Sequence, residues 1–432
     1  MADIFPFRAW RYAPEQVTVR QVVTQPYDKI TPAMQEAYYQ ASPYNLVRIV
    51  LGKRSETDTA LENVYSRAAT SFREWREKGV LKQDREPSLY RYAQTFTVPG
   101  SRDCAERRGF IALGRIEEYS AGVVYRHEQT LAKPKADRLD LLRATRAHFG
   151  QIFMLYGGKG KVDAELAGAA GAADIEVSDE YEVVHCVWKI SDTSVIKKVQ
   201  ELMADRKLII ADGHHRYETA LTYRNERRQA ANGNEAGPYD SVMMTFVDMD
   251  CPGLTILPTH RVAFGLPAAK LESFAGSARR YFNLEEVDPA LDGARAKAIL
   301  KQAGLAGTAL LAVMRERAFL LHTPKAIGTA VFGGLSLRQQ ALDVVQLHKC
   351  LLQGCLEISE EAIRNQQNVC YLREAEEALA QVRAGRVQIA FLMNPVSMKQ
   401  VRDIAFGGEV LPQKSTDFYP KLLSGLTIYA LD

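Results

Sequence analysis

The feature that most constrains this chain is a succession of strand, helix, strand and helix. It runs from "YEVVHCVWKI" through a helix from about Thr193 to Ala204 into "IIADGHHRYETALTYR", residues 209–224. Leu208 to Ala211 read as the end of a buried strand, after which Tyr217, Ala220, Leu221 and Arg224 recur at helical spacing. Such alternation favours an α/β core with helices packed on a sheet. Asp212 and Gly213 form the turn between the two elements. A helix that starts there leaves its first N–H groups unpaired, and the aligned peptide dipoles make that end electropositive. Phosphate is the anion best stabilised at such a junction. Arg216 can grip phosphate oxygens in bidentate fashion, and His214 and His215 can donate to developing charge or move a proton. Asp212 could hold a magnesium ion against the same phosphate. The bland alternative is a surface helix start with three polar residues, but structure alone requires no such set at one terminus.

With 432 residues the chain is too long for one simple core, so two or three domains are expected. Hydrophobic residues at 47% and charged residues at 25% argue against disorder. No run of eighteen apolar residues is present to span a bilayer, and "MADIFPFRAWRY" lacks the apolar core of a signal peptide, so a cytoplasmic protein with no membrane partner is expected. A net charge of +3 falls well short of a nucleic-acid-binding surface, so no nucleic acid partner is expected. The six cysteines form no CxxC pair, and reduced buried thiols are the preferred reading. "TALENVYSRAATSFREWREKGVL" reads as a helix with an apolar stripe of Leu61, Val64, Tyr65, Ala68, Phe72 and Trp75, closed by Gly79. "SLYRYAQTFTV" and "RRGFIALGRIEEY" read as paired strands, "GTALLAVMRERAFLLHT" as a hairpin, and "RVQIAFLMNPVSMKQVRDIA" as strand, Asn-Pro turn and helix. "GGKGK", 157–161, lacks the GxxxxGK[ST] pattern and a following helix, and reads as a flexible turn.

Three further polar stretches are candidates. "RHEQTLAKPKADR", 126–138, gathers His127, Glu128, Lys133, Lys135, Asp137 and Arg138; solvated charge is the usual reason for such a run, and it is not HExxH, which excludes the zinc-protease reading. "PQKSTDFYP", 412–420, offers Lys414, Ser415 and Thr416 to an anion, though a turn with Ser/Thr caps needs no ligand. "PYD", 26–28, places Asp28 in a Pro-set turn, either as a turn former or as a base or metal ligand. His148, His185, His260, His322 and His348 stand singly and read as structural.

"GHHRYETA" resembles the helix-start box of the ParB/sulfiredoxin-like superfamily, which includes ParB nucleotide-binding domains, sulfiredoxins and ADP-dependent free serine kinases. "PYDKI", "SPYNLVRI", "HEQT", "IADGHHRYETAL", "ALDVVQLHKCLL" and "PQKSTDFYPKLLSGL" together resemble, in order, the blocks of a widespread bacterial family carrying that box. The resemblance implies a mixed α/β (α+β) fold: a ParB/sulfiredoxin-like core with a mixed sheet, a large insertion and an additional C-terminal α/β segment. The corresponding division is 1–265 for the phosphate-binding region, with 86–190 inserted, 266–345 for a small α/β subdomain with a hairpin, and 346–432 for the segment that contributes the PQKST loop. Sulfiredoxin chemistry needs a cysteine between the glycine and the histidine of the box, where this chain has His214 directly after Gly213. A ParB partition protein needs a helix-turn-helix after its box, where this chain has a turn and a strand. The serine kinases fit best through Asp-Gly-His-His-Arg.

These readings combine into an expected phosphotransferase. It would move phosphate between a nucleotide (ATP or ADP) or pyrophosphate and a small hydroxyl compound, with free L-serine or phosphoserine leading, and magnesium at Asp212. Gly213, His214, His215 and Arg216 would hold the donor phosphates, while Lys133, Arg138 and Lys414, with Ser415 and Thr416, would attend outlying oxygens. Asp28 or Glu128 would accept the hydroxyl proton, and His127 and His215 complete the catalytic candidates. The alternatives are a phosphatase using the same site and a non-catalytic nucleotide-binding regulator of ParB type. A homo-oligomer is also among the expectations.

Overall fold

The computed structural model describes residues 2–128, 133–231, 236–326 and 328–432. The chain forms two compact units, one of Met1–Arg126, Thr130–Thr255 and Pro420–Asp432, the other of His127–Gln129 and Ile256–Tyr419.

The first unit is built on a nine-stranded mixed sheet. Its order is Val124–Tyr125, Leu208–Asp212, Ile152–Tyr156, Ser241–Asp248, Cys104–Arg115, Leu89–Thr97, Val184–Ile190 and Ile175–Ser178, with Ile4–Phe5 pairing along Cys104–Arg115. Ser241–Asp248 runs parallel to Ile152–Tyr156, and Leu208–Asp212 runs parallel to Val124–Tyr125; the other pairings are antiparallel. Helix Thr193–Met203 is started by Asp192, whose carboxylate accepts from the N–H groups of Ser194 and Val195. It buries Ile196, Val199 and Met203 at i, i+3, i+7 spacing, each contributing about 2 kcal/mol. With Tyr217 and Ala220 of the His214–Ala230 helix, these side chains pack on Phe110, Met154, Ile210, Met244 and Phe246 of the sheet. The aromatic stripe of the Val64–Glu77 helix behaves likewise: Asn63 caps it, and Ala68, Phe72 and Trp75 are buried. Leu61 departs from the expected stripe. It precedes the cap and is exposed.

The second unit has a six-stranded antiparallel sheet in the order Asn283–Val287, Ala318–His322, Ala309–Val313, Ile389–Met393, His260–Ala263 and Val369–Leu372. Alternate residues Ala309, Leu311 and Val313 face helices Gly293–Gly304 and Ala375–Arg383, as the two-residue strand period requires. The expected hairpin is present, with Leu310 opposite Leu321.

The division differs from the expected three segments. Stretch 86–190 contributes strands to the first sheet, but 266–345 and 346–411 share the second sheet, and 420–432 returns to the first unit. Sequence order cannot reveal this, because strand pairing is set by which apolar faces meet. The "GGKGK" stretch needs a second correction. A helix, Lys161–Gly168, does follow it, and the N–H groups of Gly158 and Gly160 donate to the Asp248 carboxylate at 3.1 and 2.7 Å, so an internal anion occupies that turn. Among the described residues, no helix is long and apolar enough to cross a membrane.

Candidate functional site

Within the first unit the strand Leu208–Asp212 ends in an irregularity: Ile210 lies opposite Met154, but Asp212 lies opposite Phe153. The extra residue re-aims the carboxylate at the strand end. Gly213 then turns the chain at φ +92°, and its carbonyl accepts from the Tyr217 N–H to open the helix. A Cβ at Gly213 would lie 3.0 Å from Arg216 Nε, so the position needs glycine both for its backbone and for the guanidinium folded over it.

Asp212 stands in a ring of cations. Burial pushes its pKa up, but Lys421, Arg216, Lys29 and His214 together outweigh burial and hold the carboxyl well below the usual carboxylate range. Arg216 donates through Nη2 to Asp212 at 3.2 Å and through Nη1 to the Gln151 carbonyl. It is therefore tethered inside the unit. Arg107 is fully buried and donates to Gln94 Oε1 (3.0 Å) and the Pro420 carbonyl (2.5 Å). Burial lowers its pKa to about 10, still far above neutrality, and it also acts on Asp212. Gln94 in turn donates to the Lys421 carbonyl at 2.8 Å, fixing the backbone that carries that ammonium.

His215 lies on the next face. Burial lowers its pKa, Glu218 and Asp28 act to raise it, and Lys135 and Arg216 act to lower it, so a neutral imidazole is favoured beside those groups. Lys135 pairs with Glu218. Arg138 packs 4.1 Å over the ring of Tyr27, donates to the Val50 carbonyl at 2.6 Å and pairs with Asp137. Tyr27, Arg138, Arg216, Thr219 and Ser424 line a cavity of about 70 Å³. Thr219 is buried, and its hydroxyl has no hydrogen-bond partner among the described residues.

The structure thus brings Asp28, Arg138, Asp212, Gly213, His214, His215 and Arg216 into one neighbourhood. The other candidates gather within the second unit. There Glu128 Oε1 accepts from Ser415 N (3.1 Å), Thr416 N (3.0 Å) and Thr416 Oγ1 (3.0 Å), and His127 Nε2 shares a 2.7 Å hydrogen bond with the same hydroxyl. The carboxylate fills the loop that was expected to take a phosphate oxygen. This corrects two readings: the Ser415 and Thr416 N–H groups and the Thr416 hydroxyl go to Glu128 while the Ser415 hydroxyl donates to the Pro412 carbonyl at 2.6 Å, and Glu128, so engaged, is poorly placed to act as a base. Lys414 is exposed at φ +57°, and its carbonyl accepts from Arg261 at 3.0 Å. The Lys133 side chain and residues 129–132 lie outside the described residues.

Tyr27, Lys29, Arg107, Thr219 and Lys421 share this neighbourhood and are not among the sequence candidates. Two carried a readable signal: Lys29 lies inside "PYDKI", and Thr219 follows Arg216 by one helical turn. Arg107 carried none, since its neighbours come from distant strands.

The family model described as "Protein of unknown function (DUF1015)" matches residues 4–345. The chain belongs to that family. No curated protein matches it. Solved structures similar to this DUF1015 chain include a conserved hypothetical protein from Pyrococcus furiosus, 13% identical, covering 68% of this chain and 87% of that one at a TM-score of 0.34. A free serine kinase in complex with AMP is 12% identical and covers 72% of this chain and 88% of the kinase at a TM-score of 0.37. SbnI with a C-terminal truncation, from Staphylococcus aureus, is 11% identical and covers 73% and 85% at 0.33. Likenesses this distant carry no argument about activity.

Proposed function

We propose that this DUF1015 protein is a phosphotransferase that moves phosphate between a nucleotide or pyrophosphate and a small hydroxylated metabolite, free L-serine or its phosphate first among them. The observation that carries the reading is the gathering of cations at one helix start: Lys29, Arg107, Arg216 and Lys421 all act on Asp212, next to a cavity that Arg138 also lines. Phosphoryl transfer asks mainly for positioning and neutralisation of charge spread over several oxygens. The free-serine-kinase resemblance of "GHHRYETA" supplies the acceptor class.

In this reading the helix start, His214 and the lysines hold donor phosphates, and His215 donates to oxygens that gain charge as the bond to the donor's bridging oxygen breaks. The acceptor hydroxyl oxygen forms the new bond to phosphorus, and its proton passes to Asp28, the candidate base beside His215. Magnesium fits only in company. Asp212 stays ionised and suits one coordination position of an ion carried on nucleotide phosphates, whereas the surrounding cations oppose a bare divalent ion.

The test is a screen of the purified chain with ATP, ADP or pyrophosphate against L-serine and related alcohols, with magnesium, following phosphate on the acceptor. Transfer to an alcohol is expected, and phosphate released only to water would replace the reading with a hydrolase. Arg216→Lys retains the charge but loses the fork that spans Gln151 and Asp212, so donor affinity should fall about tenfold. Unchanged affinity would remove the box from the site.

A further inference from the structure

The second unit contains a feature that the proposed phosphotransfer does not use. Its Leu347–Gln353 segment is a π-helical turn, with hydrogen bonds such as Gly354 N–H to the Lys349 carbonyl at 3.1 Å. Such turns are uncommon and concentrate at functional sites. This one carries His348, which is 8% exposed, and whose Nε2 is buried with no hydrogen-bond partner among the described residues. A buried polar atom left unpaired costs about 1–3 kcal/mol, so a fold retaining one in a cavity wall has a partner to be explained.

His348 lines a cavity of about 140 Å³ whose other walls include Leu335, Val345, Leu411 and Pro412. At its edge Lys349 Nζ lies 3.2 Å from Glu360 Oε2, with the lysine mostly buried and the glutamate 63% exposed. Burial first, then Arg261 and Lys349, push the His348 pKa well below its ordinary value. The imidazole is therefore neutral, and it sits in a positive field. A neutral N–H in a positive field favours an anionic oxygen as acceptor. The volume limits the guest, since a cavity of about 150 Å³ holds benzene, about six non-hydrogen atoms.

We propose that this cavity binds a small carboxylate, its oxygens taken by His348 Nε2 and Lys349, while the exposed Glu360, otherwise paired with Lys349 and Arg364, turns to an ammonium group if the ligand has one. This is a second ligand site, independent of the phosphate site proposed above. Two sources share the chemistry: simple hydroxy or keto acids, and small α-amino acids.

Calorimetric titration of the full chain with lactate, pyruvate and L-alanine tests it. Saturable one-to-one binding of at least one of them is expected, reduced at least tenfold in Lys349→Met, which removes the ammonium from the rim, and in His348→Phe, which keeps a ring in the wall but removes its nitrogens. Glu360→Gln assigns the source: weaker binding of L-alanine alone identifies an amino-acid site, and unchanged binding of lactate or pyruvate identifies a simple carboxylate site. Arg216→Lys, which weakens the phosphate site, should leave this binding intact, so the two proposals fail separately. Absence of binding by all three, or binding unaffected by Lys349→Met, overturns the inference.

Discussion

The helix start at Gly213 and the loop at Ser415 were both read as anion sites, and they use similar residue types to opposite ends. At the loop, Glu128 supplies an internal carboxylate that takes the N–H groups of Ser415 and Thr416 and the Thr416 hydroxyl, so the donors are satisfied within the fold. At the helix start Asp212 faces Lys421, Arg216, Lys29 and His214, drawn from separate stretches of the chain, and they hold it ionised. A polar cluster whose charges balance internally is a strut. One that gathers several cations around a strand end and a helix start can serve an anionic ligand.

The contrast can be broken most forcefully at Glu128. Removing a mostly buried carboxylate that three donors share leaves those donors unpaired, so Glu128→Ala should cost about 3 kcal/mol in chemical denaturation without changing nucleotide affinity. Retained stability with lost affinity would exchange the roles of the two regions. Next in size is a pH effect at His260, in the second unit. His260 is buried, its Nδ1 accepts from the Met393 N–H at 3.3 Å, and burial, Arg261 and Lys297 lower its pKa from 6.5 to about 3. The unfolded chain takes up a proton below about pH 6.5 that the folded chain refuses, so stability is full above that value and declines as pH falls toward 3. At about pH 5 the loss from this one group should be about 2 kcal/mol, and His260→Gln should make the decline with falling pH shallower by about that amount. An unaltered pH profile in that variant would show His260 protonated or exposed.

Smaller effects sharpen the first region. Gly213→Ala forces a side chain into a positive-φ turn against Arg216, and should cost about 1 kcal/mol in melting experiments and reduce donor affinity as well. A stability loss with unchanged affinity would separate the turn from the ligand. Thr219→Val removes a buried hydroxyl with no partner, so stability should shift by less than about 0.5 kcal/mol while the acceptor KM rises. An unmoved KM would place the acceptor away from the cavity.

Local signals were legible wherever the chemistry is carried by neighbours in the chain. The Leu208–Asp212 strand, the Gly213 turn and the His214–Ala230 helix follow from apolar spacing and from one residue that tolerates left-handed backbone. The hairpin at Ala309–His322 and the pairing of Leu89–Thr97 with Cys104–Arg115 were legible for the same reason. The helix after "GGKGK" was missed because its small, Ala- and Gly-rich residues give little period to read, while Val162 and Leu166 supply the packing that holds it.

What the sequence determined by itself is a mixed α/β chain with an anion-favouring helix start at Gly213, because a strand end, a glycine and a helix period are all local. Only the tertiary structure decided which charges meet there. Lys29, Arg107 and Lys421 come from three distant stretches, and Glu128 reaches across 287 positions to silence Ser415. Electrostatic balance depends on distances of a few ångströms, and those are set by which faces of the sheet and helices pack together.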